Sequence, residues 1–323
     1  MKSLIKGSTA VVLLAFASVT SAIAADTFPT KPIHIIVAAA AGGGLDITSR
    51  LVAQKMQEFL GQPVVVENRA GADTLLGTRY VKDQPADGYT VLAQSNGFSV
   101  LPTLKLAPGF DPLKDFTGIG LMTLAPMVTE VGKDQPEKSL ADIIAQAKAN
   151  PGKMTYGTGG SSTPQQLSAA AFQLKAGISM TQVMYKGAGP TLVDVAGGRI
   201  SMTNDVYVSS APYIKAGTTR VIATTGEHRM APLPDVPTYK EQGIDLVFYN
   251  WLGLLVPAGT PKAVVKRLSD ALHYATTNKE LAERFRGDGS EPGTESPEDY
   301  NKFLRNDVAE GAKMAAALHF EKQ

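Results

Sequence analysis

Three consecutive glycines, Gly42, Gly43 and Gly44, constrain this chain more than any other stretch. They follow a short run, Ile33-His34-Ile35-Ile36-Val37-Ala38, that is apolar apart from His34 and reads as a buried strand. They precede residues 46–60, where Ile47, Leu51, Val52, Met56 and Leu60 share one helical face. The order is strand, tight loop, helix. A turn alone needs one or two glycines. Three in a row cost backbone entropy and let the chain come close to a ligand. The first N–H groups of the following helix have no partner within it, and the helix dipole is positive there. The stretch is therefore a candidate anion site, for phosphate or carboxylate.

Which anion is narrowed by what surrounds the loop. A strand ending at Glu67 copies the layout of a dinucleotide site, but G-x-G-x-x-G fails because its third glycine position holds Ile47. Asp46 would also oppose a phosphate with like charge. The net charge of +1, without a long single-sign run, argues against nucleic acid and anionic membrane surfaces. The chain has no cysteine, which excludes disulfides, zinc–thiolate sites and Cys nucleophiles. The four histidines, His34, His228, His273 and His319, show no ligand-like spacing, so neither a metal nor a cofactor is expected.

Residues 1–6 are a basic n-region, residues 9–19 an apolar h-region, and Ala22-Ile23-Ala24 a cleavage site. The apolar run falls short of the roughly 20 residues of a comfortable membrane span. A secretory signal over 1–24 is expected, cleaved near Ala24, with the mature protein exported to a bacterial periplasm. ATP and NAD(P) are kept inside the cell, which weighs further against a nucleotide site.

Beyond the glycine loop the pattern alternates strand and helix. Strands are expected at 63–67, 89–93, 118–124, 127–131, 200–203, 220–224 and 251–256, with helices between and a Pro/Gly-rich connector at 101–112. The alternation predicts an α/β fold with mostly parallel sheets. Two crossovers imply two lobes, residues 25–123 with 247–323 and residues 124–246, facing each other across a cleft. Two further Gly-rich strand–helix junctions, at 156–164 and 183–190, belong to the second lobe. In open α/β sheets ligands bind beyond the carboxyl ends of the strands, so these loops are expected to face the cleft.

Several side chains admit two readings. Ser161, Ser162 and Thr163 offer hydroxyls for a carboxylate, or merely cap a helix. Lys186 is a Schiff-base lysine, an anion partner, or a solvated charge. Asp205 is a general base or a cap. Trp251 reads better as packing than as a stacking platform. No serine sits in a Gly-x-Ser-x-Gly elbow with a histidine partner, which disfavours hydrolase chemistry.

Taken in order, these segments resemble one family. They are Pro29-Thr30-Lys31-Pro32-Ile33, Gly42-Gly43-Gly44-Leu45-Asp46 with Arg50, Val66-Glu67-Asn68-Arg69-Ala70-Gly71-Ala72 and Pro85-Ala86-Asp87-Gly88-Tyr89-Thr90. Tyr156-Gly157, Tyr185-Lys186-Gly187, Gly197-Gly198 and Pro257-Ala258-Gly259-Thr260-Pro261 complete the set. The match, over nearly the whole mature chain, is to the substrate-binding receptors of tripartite tricarboxylate transporters, the Bug proteins. The resemblance implies a Venus-flytrap receptor of the periplasmic-binding-protein fold. Such a receptor captures a small di- or tricarboxylate or an aromatic acid between its lobes, carries no cofactor, and delivers its ligand to membrane transport subunits as a monomer. The resemblance implies contacts from Ala39, Ala40, Ala41, Gly43, Gly44, Leu45 and Asp46 of the first lobe and from Ser161, Ser162, Thr163 and Asp205 of the second. Asn96, Lys186 and Asn204 are further candidate binding residues.

Departures from the family pattern bear on the ligand. Ala39-Ala40-Ala41 and Leu45 replace bulkier or hydroxyl-bearing residues. Ser162, Gln166 and Asn204 stand where Gly, His and an aromatic residue are usual. The expectation is a longer or aromatic acid with a second polar group, rather than a small amino acid. The competing reading is a secreted enzyme acting on a carboxylic acid, with Lys186 or Asp205 as its acid–base residue.

Overall fold

The computed structural model describes residues 28–104, 106–160, 162–185 and 187–317. The expected signal segment 1–24, Ser161 and Lys186 lie outside the described residues.

The strand–loop–helix reading of the first unit holds. β1 (Ile33–Val37) leads through the glycine loop into α1 (Gly44–Leu60), which Gly61 ends in the left-handed region with its N–H on the Gln57 carbonyl. β2 (Val64–Asn68), α2 (Leu75–Lys82) and β3 (Thr90–Ser95) follow. β2 and β3 flank β1 and run parallel to it. The alternating side chains of β1 feed two cores, as a strand buried on both faces must. Ile33, Ile35 and Val37 join Val52 and Met56 of α1 and Leu268 and Leu272 of α8 (Lys262–Thr277). Ile36 faces the other way and joins Phe98, Trp251, Tyr300 and Leu304. Full burial of such side chains contributes about 1.5–3 kcal/mol each.

α3 (Gly97–Leu104) occupies part of the stretch expected to be an irregular connector. Pro102 lies near its end, and Phe98 and Leu101 are fully buried, so packing overrides the breaker. Residues 116–132 also depart from expectation. They form one 17-residue strand, β4 (Phe116–Gly132), where two short strands are predicted. Up to Pro126 it pairs antiparallel with β9 (Tyr249–Pro257); from Met127 it pairs antiparallel with β7 (Met202–Val206). It also pairs with β8 (Thr219–Thr224) and with the short β10 (Glu291–Pro292). β4 is thus a single rod shared by both halves of the molecule.

The second half holds α4 (Leu140–Ala149), β5 (Thr155–Thr158), α5 (Pro164–Ala176), β6 (Thr181–Met184), α6 (Ala188–Ala196) and α7 (Tyr207–Lys215). β6, β5 and β7 run parallel. Their core gathers Ile143, Met154, Phe172, Met202, Ile222 and Tyr239. Each half therefore has a parallel triplet, as the apolar runs predict, but β4 and β9 make the sheets mixed. α9 (Lys279–Gly287) and α10 (Pro297–Ala317) complete the first half. Among the described residues no helix is long and apolar enough to cross a membrane.

Candidate functional site

The carboxyl ends of β1, β3, β5 and β7 open on one cleft of about 650 Å³. Lobe 1 lines it with Ala39, Gly43, Gly44, Leu45, Thr74 and Asn250, and lobe 2 with Ser162, Thr163, Gln165, Gly189 and Asp205.

Of the three glycines only Gly42, at φ +80°, needs the left-handed backbone. A Cβ on Gly43 would meet nothing nearer than the Ala40 carbonyl at 3.5 Å, and one on Gly44 would meet nothing within 4 Å. Nothing among the described residues demands their bareness; what it leaves open is the cleft they line. Gly43 caps α1 without a side chain, and the first bond of that helix runs from Ile47 N–H to the Gly43 carbonyl, 3.0 Å away. The N–H groups of Gly44, Leu45 and Asp46 thus have no partner within the helix. α6 and α7, whose first turns also reach the cleft, begin at Gly187 and Val206 without side-chain caps. By contrast Ser139 closes α4 and Asn278 closes α9. Several positive helix ends therefore converge on one cavity.

Asp46 supports this wall from behind. It is buried and does not line the cleft. Its Oδ2 accepts from the Gly42 N–H at 2.9 Å, and the Arg50 guanidinium lies 2.9 Å from Oδ1. Burial alone would raise its pKa; Arg50, Gly42 and Asn68 outweigh that and hold it below the usual carboxylate range. The loop 71–74 forms another wall. Ala72, Asp73 and Thr74 are all left-handed, at φ +48°, +53° and +75°, and Gln94 Nε2 pins it by donating to Thr74 Oγ1 and Thr78 Oγ1.

On the second lobe Thr163 caps α5 through Gln166 N–H, as ordinary capping requires, and also lines the cleft. Asp205 is fully buried at the end of β7. Its Oδ1 accepts from Val206 N–H at 2.7 Å and from Gln165 Nε2 at 3.3 Å; Oδ2 has no partner among the described residues. Burial pushes its pKa up to about 7, opposed by the Val206 N–H and assisted by the Glu130 charge. Asn250 Oδ1 is likewise buried without a partner among the described residues. An unpaired acceptor in a buried wall costs free energy until a donor reaches it, so both atoms mark where a hydrogen-bond donor belongs.

Of the expected binding residues, Ala39, Gly43, Gly44, Leu45, Ser162, Thr163 and Asp205 come together here. Five others do not line the cleft. Ala40 and Ala41 are exposed outside it, and Asp46 is turned inward. Asn204 is consumed in the core, accepting from Thr129 Oγ1 at 2.9 Å and donating to Ser168 Oγ. Asn96 donates to the Tyr249 carbonyl at 2.9 Å and accepts from Trp251 N–H at 3.2 Å. It lines a different cavity of about 430 Å³, walled by Val100, Leu167, Phe248 and Trp251, where no glycine loop opens. Trp251 packs on Tyr300 and donates to Asp307 Oδ2 at 2.8 Å, as its packing role requires. Sequence reasoning missed Asn250, Thr74 and Gln165. Only Gln165 carried a signal, its place in the first turn of the helix after the Ser/Thr loop. Among the described residues no group of three or more acidic or histidine side chains could hold a metal ion.

A two-lobed α/β molecule with helix ends and unpaired acceptors facing one interlobe cleft has the build of a solute-binding receptor. Residues 48–319 match the family described as "Tripartite tricarboxylate transporter family receptor". The chain is 31% identical to Protein BugT of Bordetella pertussis, over 92% of each chain. Among solved structures it is similar to R. palustris Rpa4515 with adipate, at a TM-score of 0.84 and 31% identity, covering 92% of this chain and 100% of that one. It is also similar to MatC from Rhodopseudomonas palustris with bound malate, at a TM-score of 0.81 and 25% identity, covering 89% and 99%. The chain belongs to the tripartite tricarboxylate transporter receptor family, whose members are two-lobed periplasmic binding proteins.

Proposed function

We propose that this protein captures a small dicarboxylate between its lobes and presents it to the membrane subunits of a tripartite transporter. The observation that carries the reading is the convergence of uncapped helix N-termini on a cleft whose described lining contains no Lys, Arg or His. Such a cleft favours an anion through backbone N–H groups and helix dipoles rather than through an ion pair. Gly43, Gly44 and Leu45 hold one carboxylate, with Ala39 as the adjoining wall. Ser162, Thr163 and Asp205 meet the distal end, and the Asn250 amide oxygen takes a donor such as a hydroxyl between the two carboxylates. The adipate and malate of the two similar structures are acids of the same class. Each lobe supplies part of the site, so ligand favours the closed state by its differential affinity.

The proposal includes the lobe division at 25–123 with 247–323 and 124–246, a cleaved signal over 1–24, action as a monomer, and binding without catalysis. Membership of a receptor family supports the last point. Native mass spectrometry of protein purified from its periplasm tests it. A carboxylic acid released unchanged is the expected result; a chemically altered ligand would favour the enzyme reading.

A further inference from the structure

Asp205 is the feature that a carboxylate-binding cleft explains least. A fully buried carboxyl forms part of the wall, Oδ2 has no hydrogen-bond partner among the described residues, and the incoming ligand is itself an anion. Among the described residues, the ionisable groups around it offer no compensating cation. β4 brings Glu130 and α6 brings Asp194, which is already held by Arg199 and Tyr185. β5 and α7 bring the phenols Tyr156 and Tyr207. Across the cleft stands Asp73, whose Oδ1 would lie 3.7 Å from a Cβ on Gly160. The lysines of the packed helices, Lys175 of α5 and Lys215 of α7, sit in the last turns. Those turns are more than ~10 Å from helix starts that face the cleft, at about 1.5 Å per residue. Two carboxylates at hydrogen-bond distance in a buried site cannot both be ionised; one must hold a proton.

We propose that Asp205 holds that proton, so that its Oδ2–H donates to the distal carboxylate of a bound dicarboxylate and capture takes one proton from solvent. The inference rests on the reading of the cleft as a carboxylate site. Oδ1 is already occupied by two donors, so the proton belongs on Oδ2, the oxygen left for the ligand. Glu130 disfavours the ionised form further, and the group's position near pH 7 makes the coupling visible in the physiological range. Asp205 then discriminates among ligands. It accepts a second carboxylate only as a pair with its own proton, and ligands with an apolar distal end leave its O–H unpaired.

The test is calorimetric titration with adipate, malate, citrate and terephthalate at pH 6 and pH 8, each in two buffers of different ionisation enthalpy. For a group titrating near pH 7, the protonated fraction falls about tenfold between those values. The expected result is about tenfold tighter binding at pH 6 and uptake of close to one proton per ligand at pH 8. Asp205→Asn keeps a donor with no proton to lose; it should bind with little pH dependence and take up no proton. Asp205→Ala should bind weakly at both pH values. Equal affinity at pH 6 and 8 without proton uptake would overturn the inference while leaving the carboxylate reading intact. So would an Asp205→Asn variant that keeps the full pH dependence. If no carboxylate bound at either pH, the functional reading itself would fall, and this inference with it.

Discussion

Gly97 of the first lobe stands so close to Ser162 of the second that a Cβ on Gly97 would lie 2.9 Å from the Ser162 carbonyl oxygen. Real Cβ atoms do not tolerate that approach to backbone, so the two lobes touch at the floor of the cleft through the bare side of a glycine. Gly97→Ala should hold the walls apart and reduce ligand affinity about tenfold, roughly 1.4 kcal/mol, through a less favourable closed state. Unchanged affinity by calorimetry would show that this contact is absent from the ligand-bound form.

The alanine wall gives a paired test. Ala39 lines the cleft, whereas Ala40 is exposed outside it. Ala39→Phe should abolish binding, and Ala40→Phe should leave it within about twofold. Gly44→Val belongs with the first, because the space around Gly44 is open to the cleft and its backbone is helical. Both cleft variants should keep their melting temperature within a few degrees. Loss of binding in the Ala40 variant alone would place the ligand on the outer side of the loop.

Three successive left-handed residues without glycine are rare, and each costs about 1–2 kcal/mol. Ala72 is the exposed member of the run. Ala72→Gly should raise stability by roughly 0.5–1 kcal/mol, the relief of strain exceeding the added chain entropy. A destabilised variant in urea unfolding would mean that the loop is held at no conformational cost.

Glu130 is buried on β4, where Thr219 Oγ1 donates to Oε1 at 2.7 Å and Ser210 donates to Oε2. Burial raises its pKa above the ordinary value, and the two hydroxyls restore only part. Because the folded value is the higher one, the stability this group contributes is complete at pH below its unfolded value near ~4. It is lost as pH rises through the folded value. Glu130→Gln removes the loss and should be more stable than the natural chain at pH 7–8, with the gap closing toward pH 4. A constant difference across pH would assign the effect to packing.

How far the sequence led can be read from particular residues. The first strand–loop–helix unit, the Gly61 stop and the Ser139 cap depend on local chemistry and were legible. β4 was not, because whether 116–132 is one strand or two depends on β9 and β7, which are distant in the chain. α3 was hidden by Pro102, Pro108 and Pro112, since only the buried packing of Phe98 and Leu101 outweighs their breaker signal. The same division runs through the cleft. Gly43 and Gly44 line the cleft as expected, because a glycine loop before a helix has a physical meaning on its own. Asn96 and Asn204 looked like ligand readers, but distant groups use their amides. Asn250, whose amide oxygen is left unpaired, has no local signal at all.

The most direct test of the account is a thermal-shift screen of residues 25–323 against mono-, di- and tricarboxylates, aromatic acids included, with amines, amides and nucleotides as controls. A ligand at about 100 times its dissociation constant adds roughly 2.7 kcal/mol of stability, enough to move the transition clearly. The account predicts a shift with dicarboxylates and none with the controls. A shift with an amine, amide or nucleotide, and with no acid, would contradict the central claim that uncapped helix ends make this cleft a carboxylate site.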